Sequence, residues 1–66
     1  MQIQLNGEAR RIEPATTIAT LLDAEGLAQR RVAVEVNGEI VPRGRHADHL
    51  LGDGDRIEIV HALGGG

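Results

Sequence analysis

Three glycines close the sequence, Gly64, Gly65 and Gly66, and the carboxylate they carry is the group in this chain best suited to covalent chemistry. The sequence contains no cysteine and no lysine, so it offers neither a thiolate nor a Schiff-base amine. A carboxylate is a poor acyl donor because its leaving group would be oxide. Reaction with ATP converts it to an acyl-adenylate, from which a sulfur nucleophile displaces AMP and leaves a thiocarboxylate. Glycine suits such a terminus, since no Cβ obstructs attack at the carbonyl carbon and φ is unrestricted. The same residues also fit an idle flexible end. Their setting favours function: the sequence stops at Gly66, the glycines follow a strand pattern, and residues 62–66 reach about 15 to 18 Å when extended. That length threads a buried site while a globular body stays outside.

Other residues with chemical potential carry weaker signals. His46-Ala47-Asp48-His49 and His61 lack a third and fourth ligand at a zinc spacing, so they are expected to be solvated loop residues and no metal is expected. Gly52-Asp53-Gly54-Asp55 resembles a fragment of a calcium loop without the bidentate acid that should follow, which leaves a tight turn. Arg30-Arg31 and Arg43 with Arg45 fit either a basic patch for an acidic partner or a solvated surface, and the solvated surface is the expected state. No bound cofactor is expected.

Composition narrows the partners. A formal net charge of −3 disfavours phosphate-backbone binding, and the absence of aromatic residues removes base-stacking platforms, so no nucleic acid is expected. No stretch approaches the roughly 20 apolar residues of a membrane span, and no basic segment and apolar signal core follow Met1. No membrane partner and a cytoplasmic location are therefore expected. A chain of 66 residues fits one domain with a small core.

The elements that must position the tail follow from periodicity. Met1, Ile3 and Leu5 alternate with Gln2 and Gln4 as a half-buried strand, and Asn6-Gly7 is a hairpin dipeptide leading to a second strand from Glu8 to Ile12. The register of that strand is open: a two-residue loop sets Glu8 and Arg10 beside Leu5 and Ile3, whereas a bulge at Gly7, the preferred solution, turns Ala9 inward. Ile18, Leu21 and Leu22 form a helical stripe, with Thr16 or Thr17 as N-cap and Gly26 as the left-handed stop before Leu27. Val32, Val34 and Val36 alternate as a third strand. Asn37-Gly38 then turns into Glu39-Ile40-Val41, an edge strand ended by Pro42. Residues 43–51 have no clear period and leave room for one helical turn carrying Leu50 and Leu51. Ile57 and Ile59 mark the last strand. The order hairpin, helix, hairpin, strand predicts an α+β ubiquitin-like β-grasp fold: a mixed four- to five-stranded sheet under one main helix, its first and last strands parallel in the middle.

Arg31-Val32-Ala33-Val34-Glu35-Val36-Asn37, Ile40-Val41-Pro42-Arg43, Gly52-Asp53-Gly54-Asp55-Arg56-Ile57-Glu58-Ile59-Val60 and the terminal glycines resemble the ThiS family of thiamine-biosynthesis sulfur carriers, over essentially the whole chain. Gly44 stands where that family often has serine. The resemblance implies adenylation and thiocarboxylation of Gly66 by a ThiF-like, E1-related adenylating enzyme that uses ATP, with sulfur supplied by a persulfide donor system. It further implies sulfur transfer to a ThiG-like thiazole synthase.

The expected protein is thus a carrier without catalysis of its own, with a β-grasp domain over 1–61 and a flexible glycine tail over 62–66. Gly66 is the expected site of modification, Leu63, Gly64 and Gly65 the elements by which the tail is recognised, and Val60, Leu63 and Ile57 a docking patch. The alternatives are a MoaD-like small subunit of molybdopterin synthase and a non-covalent β-grasp interaction module.

Overall fold

In a computed structural model that describes residues 1–61, the alternating N-terminal segment forms β1 (Gln2–Leu5), with Ile3 and Leu5 buried and Gln2 and Gln4 in solvent. Asn6 (φ 50°) and Gly7 (φ 85°) both occupy the left-handed region, which gives the two-residue hairpin that matches strand twist. β2 (Glu8–Arg11) returns with Ile3 opposite Arg10 and Leu5 opposite Glu8. The expected bulge at Gly7 is therefore absent, and Ala9 faces away from the helix. Arg10 shares the inner face with Ile3 because its guanidinium reaches the Glu25 carboxylate at 2.6 Å. This edge strand borders the core with a paired charge instead of entering it.

Helix α1 (Ile18–Ala24) begins at Thr17. Thr17 Oγ1 accepts the Thr20 N–H at 3.1 Å, and Thr20 Oγ1 accepts the Thr17 N–H at 2.8 Å, a reciprocal cap. Ile18, Leu21 and Leu22 are buried. The helix stops as the sequence predicts: Gly26 takes φ 76°, its N–H donates to Asp23 O at 3.1 Å, and the Leu27 N–H donates to Leu22 O at 2.8 Å. Leu27 then packs against the core.

β3 (Val32–Val36) and β4 (Glu39–Val41) form the second hairpin across Asn37 and Gly38. A 3-10 turn, Arg43–Arg45, follows Pro42. It is the one helical turn expected within residues 43–51, but it does not carry Leu50 and Leu51. Leu50 instead bridges Thr17, with Ile18 N–H donating to His49 O at 3.1 Å and Leu51 N–H to Thr16 O at 2.9 Å, so Leu51 is buried while Leu50 is exposed. β5 (Arg56–His61) completes a five-stranded sheet in the order β2-β1-β5-β3-β4. β1 and β5 are parallel at its centre, and the other pairings are antiparallel. Ile3, Leu5, Val34, Val36, Ile57 and Ile59 meet the α1 stripe and Leu51 in one core. Among the described residues, no helix is long and apolar enough to cross a membrane.

Candidate functional site

β5 is the strand that leads to the C-terminal segment, and it is fixed at both ends by side chains. At its start, Asp55 Oδ2 accepts the Gly52 N–H at 2.8 Å, and Asp53 Oδ1 accepts the Gln2 N–H at 2.8 Å. The Asp carboxylates thus bind backbone amides of the turn and of β1, which accounts for the acidic Gly-Asp-Gly-Asp sequence without a cation. Asn37 Oδ1 accepts the Arg56 N–H at 2.9 Å, while its Nδ2 donates to Asp55 Oδ1 at 3.0 Å. Near the other end, Asn6 Oδ1 accepts the Ile59 N–H at 2.7 Å. Both asparagines therefore serve twice, as turn residues and as clamps on β5. Only the first role is legible in the sequence, because the second joins residues about 20 and 50 positions apart in the chain.

The strand ends at His61, opposite Val32 of β3. Leu63, Gly64, Gly65 and Gly66, the expected tail-recognition and modification residues, lie outside the described residues, as does the expected tail 62–66. Of the expected docking patch, Val60 is 56% exposed on the sheet face away from α1, opposite Ala33. Ile57 is only 1% exposed and belongs to the core. The correction follows from the pleat: Ile57 and Ile59 point toward α1, and Val60 points away. Val34 and Val36 are likewise core residues. The apolar residue absent from the expected patch is Ile40, 67% exposed on the same open face as Val60. Its partner Glu35 stands between them, opposite Glu58. The alternation about Asn37-Gly38 was the available signal.

The histidines divide. His46, expected in solvent, is buried, with its Nε2 3.0 Å from Val41 O. A carbonyl only accepts, so Nε2 carries the hydrogen. The His46 carbonyl also receives the Ala19 N–H at 3.0 Å, which ties the loop after β4 to α1. His61 is exposed. Among the described residues, no group of three or more His, Asp or Glu is arranged to hold a metal ion.

The described body therefore holds β5 firmly in its centre and presents Val60 and Ile40 in solvent on the open face. Mixed sheet, single helix and a central C-terminal strand define the class: an α+β protein of the ubiquitin-like β-grasp type. A solved structure of a thiamine biosynthesis protein (ThiS) from Geobacter metallireducens superposes over 100% of both chains with TM-score 0.85 and 33% identity. The sulfur carrier protein ThiS of Escherichia coli is 35% identical over 100% of both chains, and that of Bacillus subtilis 43% identical over 97% of this chain and 98% of its own. A thiazole synthase of Paramagnetospirillum magneticum is 44% identical over 100% of this chain, which spans 20% of that protein. The model of the ThiS family matches residues 3–66, and the chain belongs to that family.

Proposed function

We propose that the protein is a sulfur carrier of thiamine biosynthesis whose Gly66 carboxylate is adenylated and converted to a thiocarboxylate. The observation that carries this is the family match running from residue 3 through Gly66, so that the glycine end falls within the shared pattern. Cysteine and lysine are absent from the sequence, so the chain offers neither a thiolate nor a lysine amine, and the terminal carboxylate is the group that reacts. A ThiF-like enzyme supplies ATP and the adenylation site, a carboxylate oxygen attacks the α-phosphorus and pyrophosphate leaves. The outer sulfur of a persulfide donor then attacks the acyl carbon and displaces AMP to give an acyl disulfide, and a thiol reductant cleaves the S–S bond, ending in a disulfide with the donor sulfur and releasing the thiocarboxylate. The thiocarboxylate is the nucleophilic form that delivers sulfur to a ThiG-like thiazole synthase. That partner is supported by the thiazole synthases of Paramagnetospirillum magneticum and Magnetococcus marinus, each of which contains a stretch similar to the whole of this chain.

In this reading the open sheet face is the docking surface. Val60 and Ile40 are large apolar residues in solvent, with Ala33 exposed beside Val60. Exposed apolar side chains on the face of β5 near its end are where a transient partner gains most from burial. The adenylating enzyme docks there and receives Leu63, Gly64, Gly65 and Gly66 in its active site.

The test is incubation with the cognate adenylating enzyme, ATP and a sulfur source, followed by intact mass. The expected result is the gain that replaces one oxygen by sulfur, localised to Gly66. Loss of that gain on removal of Gly65 and Gly66 separates a carrier from a non-covalent β-grasp module, which would keep its function.

A further inference from the structure

On the helix side of the sheet, a groove of ≈ 220 Å³ lies between α1 and the loop that follows β4. Its apolar lining includes Ala19 and Leu22 of α1 and Val32 of β3, and His46 also lines it. Arg30 and Arg43, both exposed, line it as well. They come from segments 13 residues apart. The Schellman turn at Gly26 carries the chain from α1 to Arg30, and the 3-10 turn after Pro42 carries Arg43. Among the described residues, neither arginine has a carboxylate within ion-pair distance; the Arg10 pair with Glu25 lies elsewhere on the helix side.

The position of the groove gives it meaning. Val32 lies in its lining and directly opposite His61, the last residue of β5, so the groove adjoins the exit of the C-terminal segment. Two arginines also line the groove, in a chain of net charge −3. Each arginine offers a planar fork of donors that matches a carboxylate. Apolar side chains fit the lining formed by Ala19, Leu22 and Val32. Nucleic acid is disfavoured by the overall negative charge and by the lack of any aromatic side chain.

We infer that this groove docks an acidic, amphipathic polypeptide segment of a partner, with its carboxylates on Arg30 and Arg43 and an apolar side chain against Ala19, Leu22 and Val32. The inference rests on the carrier reading only for the choice of partners to titrate. The groove is on the opposite side of the sheet from Val60 and Ile40. A partner that engages it therefore approaches the same exit from the other side, and is selected by opposite charge.

The experiment measures dissociation constants of the full chain with the cognate adenylating enzyme and with the cognate thiazole synthase, as a function of salt. It compares Arg30→Gln/Arg43→Gln with Arg11→Glu on the β2 edge, since both variants lower the net charge by two. For at least one of the enzymes, the double variant is expected to bind about tenfold more weakly and with a shallower salt dependence, in line with lost charge complementarity. Arg11→Glu is expected to bind within about twofold of the parent, and thermal melts of both variants should match it, because all three arginines are exposed. Unchanged binding of the double variant to both enzymes overturns the groove assignment while leaving the carrier reading intact. Equal weakening by Arg11→Glu also overturns it, since net charge alone then accounts for the effect. A parent chain that binds neither enzyme overturns the carrier reading and this inference together.

Discussion

Asn6 and Ile59 are joined by a hydrogen bond of 2.7 Å from the Ile59 N–H to the Asn6 carboxamide oxygen. The parallel pairing of β1 with β5 runs through Leu5 and Ile57, and the Asn6 backbone N–H donates to Ile57 O at 2.8 Å before the chain turns away. The Asn6 side chain thus extends the ladder by one further bond. Asn6→Ala should destabilise the fold by about 1 to 2 kcal/mol, since it removes that bond and puts alanine, which tolerates the left-handed region less well than asparagine, at positive φ. Asn6→Gly keeps the turn geometry and isolates the bond. Urea melts in which Asn6→Gly equals the parent would show that the bond contributes nothing.

Gly26 occupies φ 76°, and a Cβ built there meets no atom within 4 Å. Any loss on substitution is therefore conformational and not steric. Gly26→Val is expected to cost roughly 1 kcal/mol or more, and Gly26→Asn less, because asparagine tolerates the left-handed region. Equal melting temperatures for the three proteins would contradict the Schellman ending as a source of stability.

Glu35 and Glu58 face each other on the open side of β3 and β5. Like charges directly opposed across strands destabilise a sheet. Glu58→Gln should raise stability by about 0.2 to 0.5 kcal/mol at low ionic strength, with the gain shrinking as salt is added. A variant that is less stable at every salt concentration would mean that Glu58 makes a net favourable contribution.

Val60→Asp tests the open face as a docking surface. Val60 is exposed, so the melting curve should stay close to that of the parent. Affinity for the adenylating enzyme should fall about tenfold or more, as for a residue central to an interface. Full affinity with an intact fold would place the docking surface elsewhere.

Adding an alanine after Gly66 tests the steric demand at the reactive terminus. Stability should be nearly unchanged, because a terminal residue makes few contacts. ATP-pyrophosphate exchange should drop on the order of 10²-fold, the scale of a misplacement of about 1 Å at a reacting atom. Unimpaired exchange would show that the partner's site accepts a Cβ.

Local signals in the sequence are reliable where chemistry at one position decides structure. Asn-Gly at both hairpins, Thr17 before Ile18, Gly26 before Leu27 and Pro42 after Val41 each act within a few residues, and each lies where its pattern predicts. The β2 register differs from expectation because a bulge would bury Ala9, whereas the inner face accommodates Arg10. The charge of Arg10 is met by Glu25 from the helix cap, 15 residues away. The helical turn expected within residues 43–51 forms at Arg43–Arg45 instead of at Leu50 and Leu51, and the segment 46–51 after it is shaped for a related reason. Its backbone pairs with residues 16–19 at the start of α1, and no periodicity records a contact of that separation. His46 belongs to the same network, being fixed through Val41 and Ala19. The proposed docking face is half legible: alternation separates Val60 from Ile57, but two apolar residues in one strand do not by themselves say which is covered. Arg30 and Arg43 stand out in the sequence as charges, and only the fold brings them to one groove.

The placement of β5 between a parallel and an antiparallel neighbour has a mechanical consequence. A partner that grips the segment beyond His61 pulls along the axis of β5, at right angles to its hydrogen bonds with β1 and β3. Those bonds are loaded side by side, in shear, and share the force, whereas a strand peeled from an edge would lose its bonds in succession. The body is therefore anchored against traction applied at His61, and a pull there leaves the sheet intact.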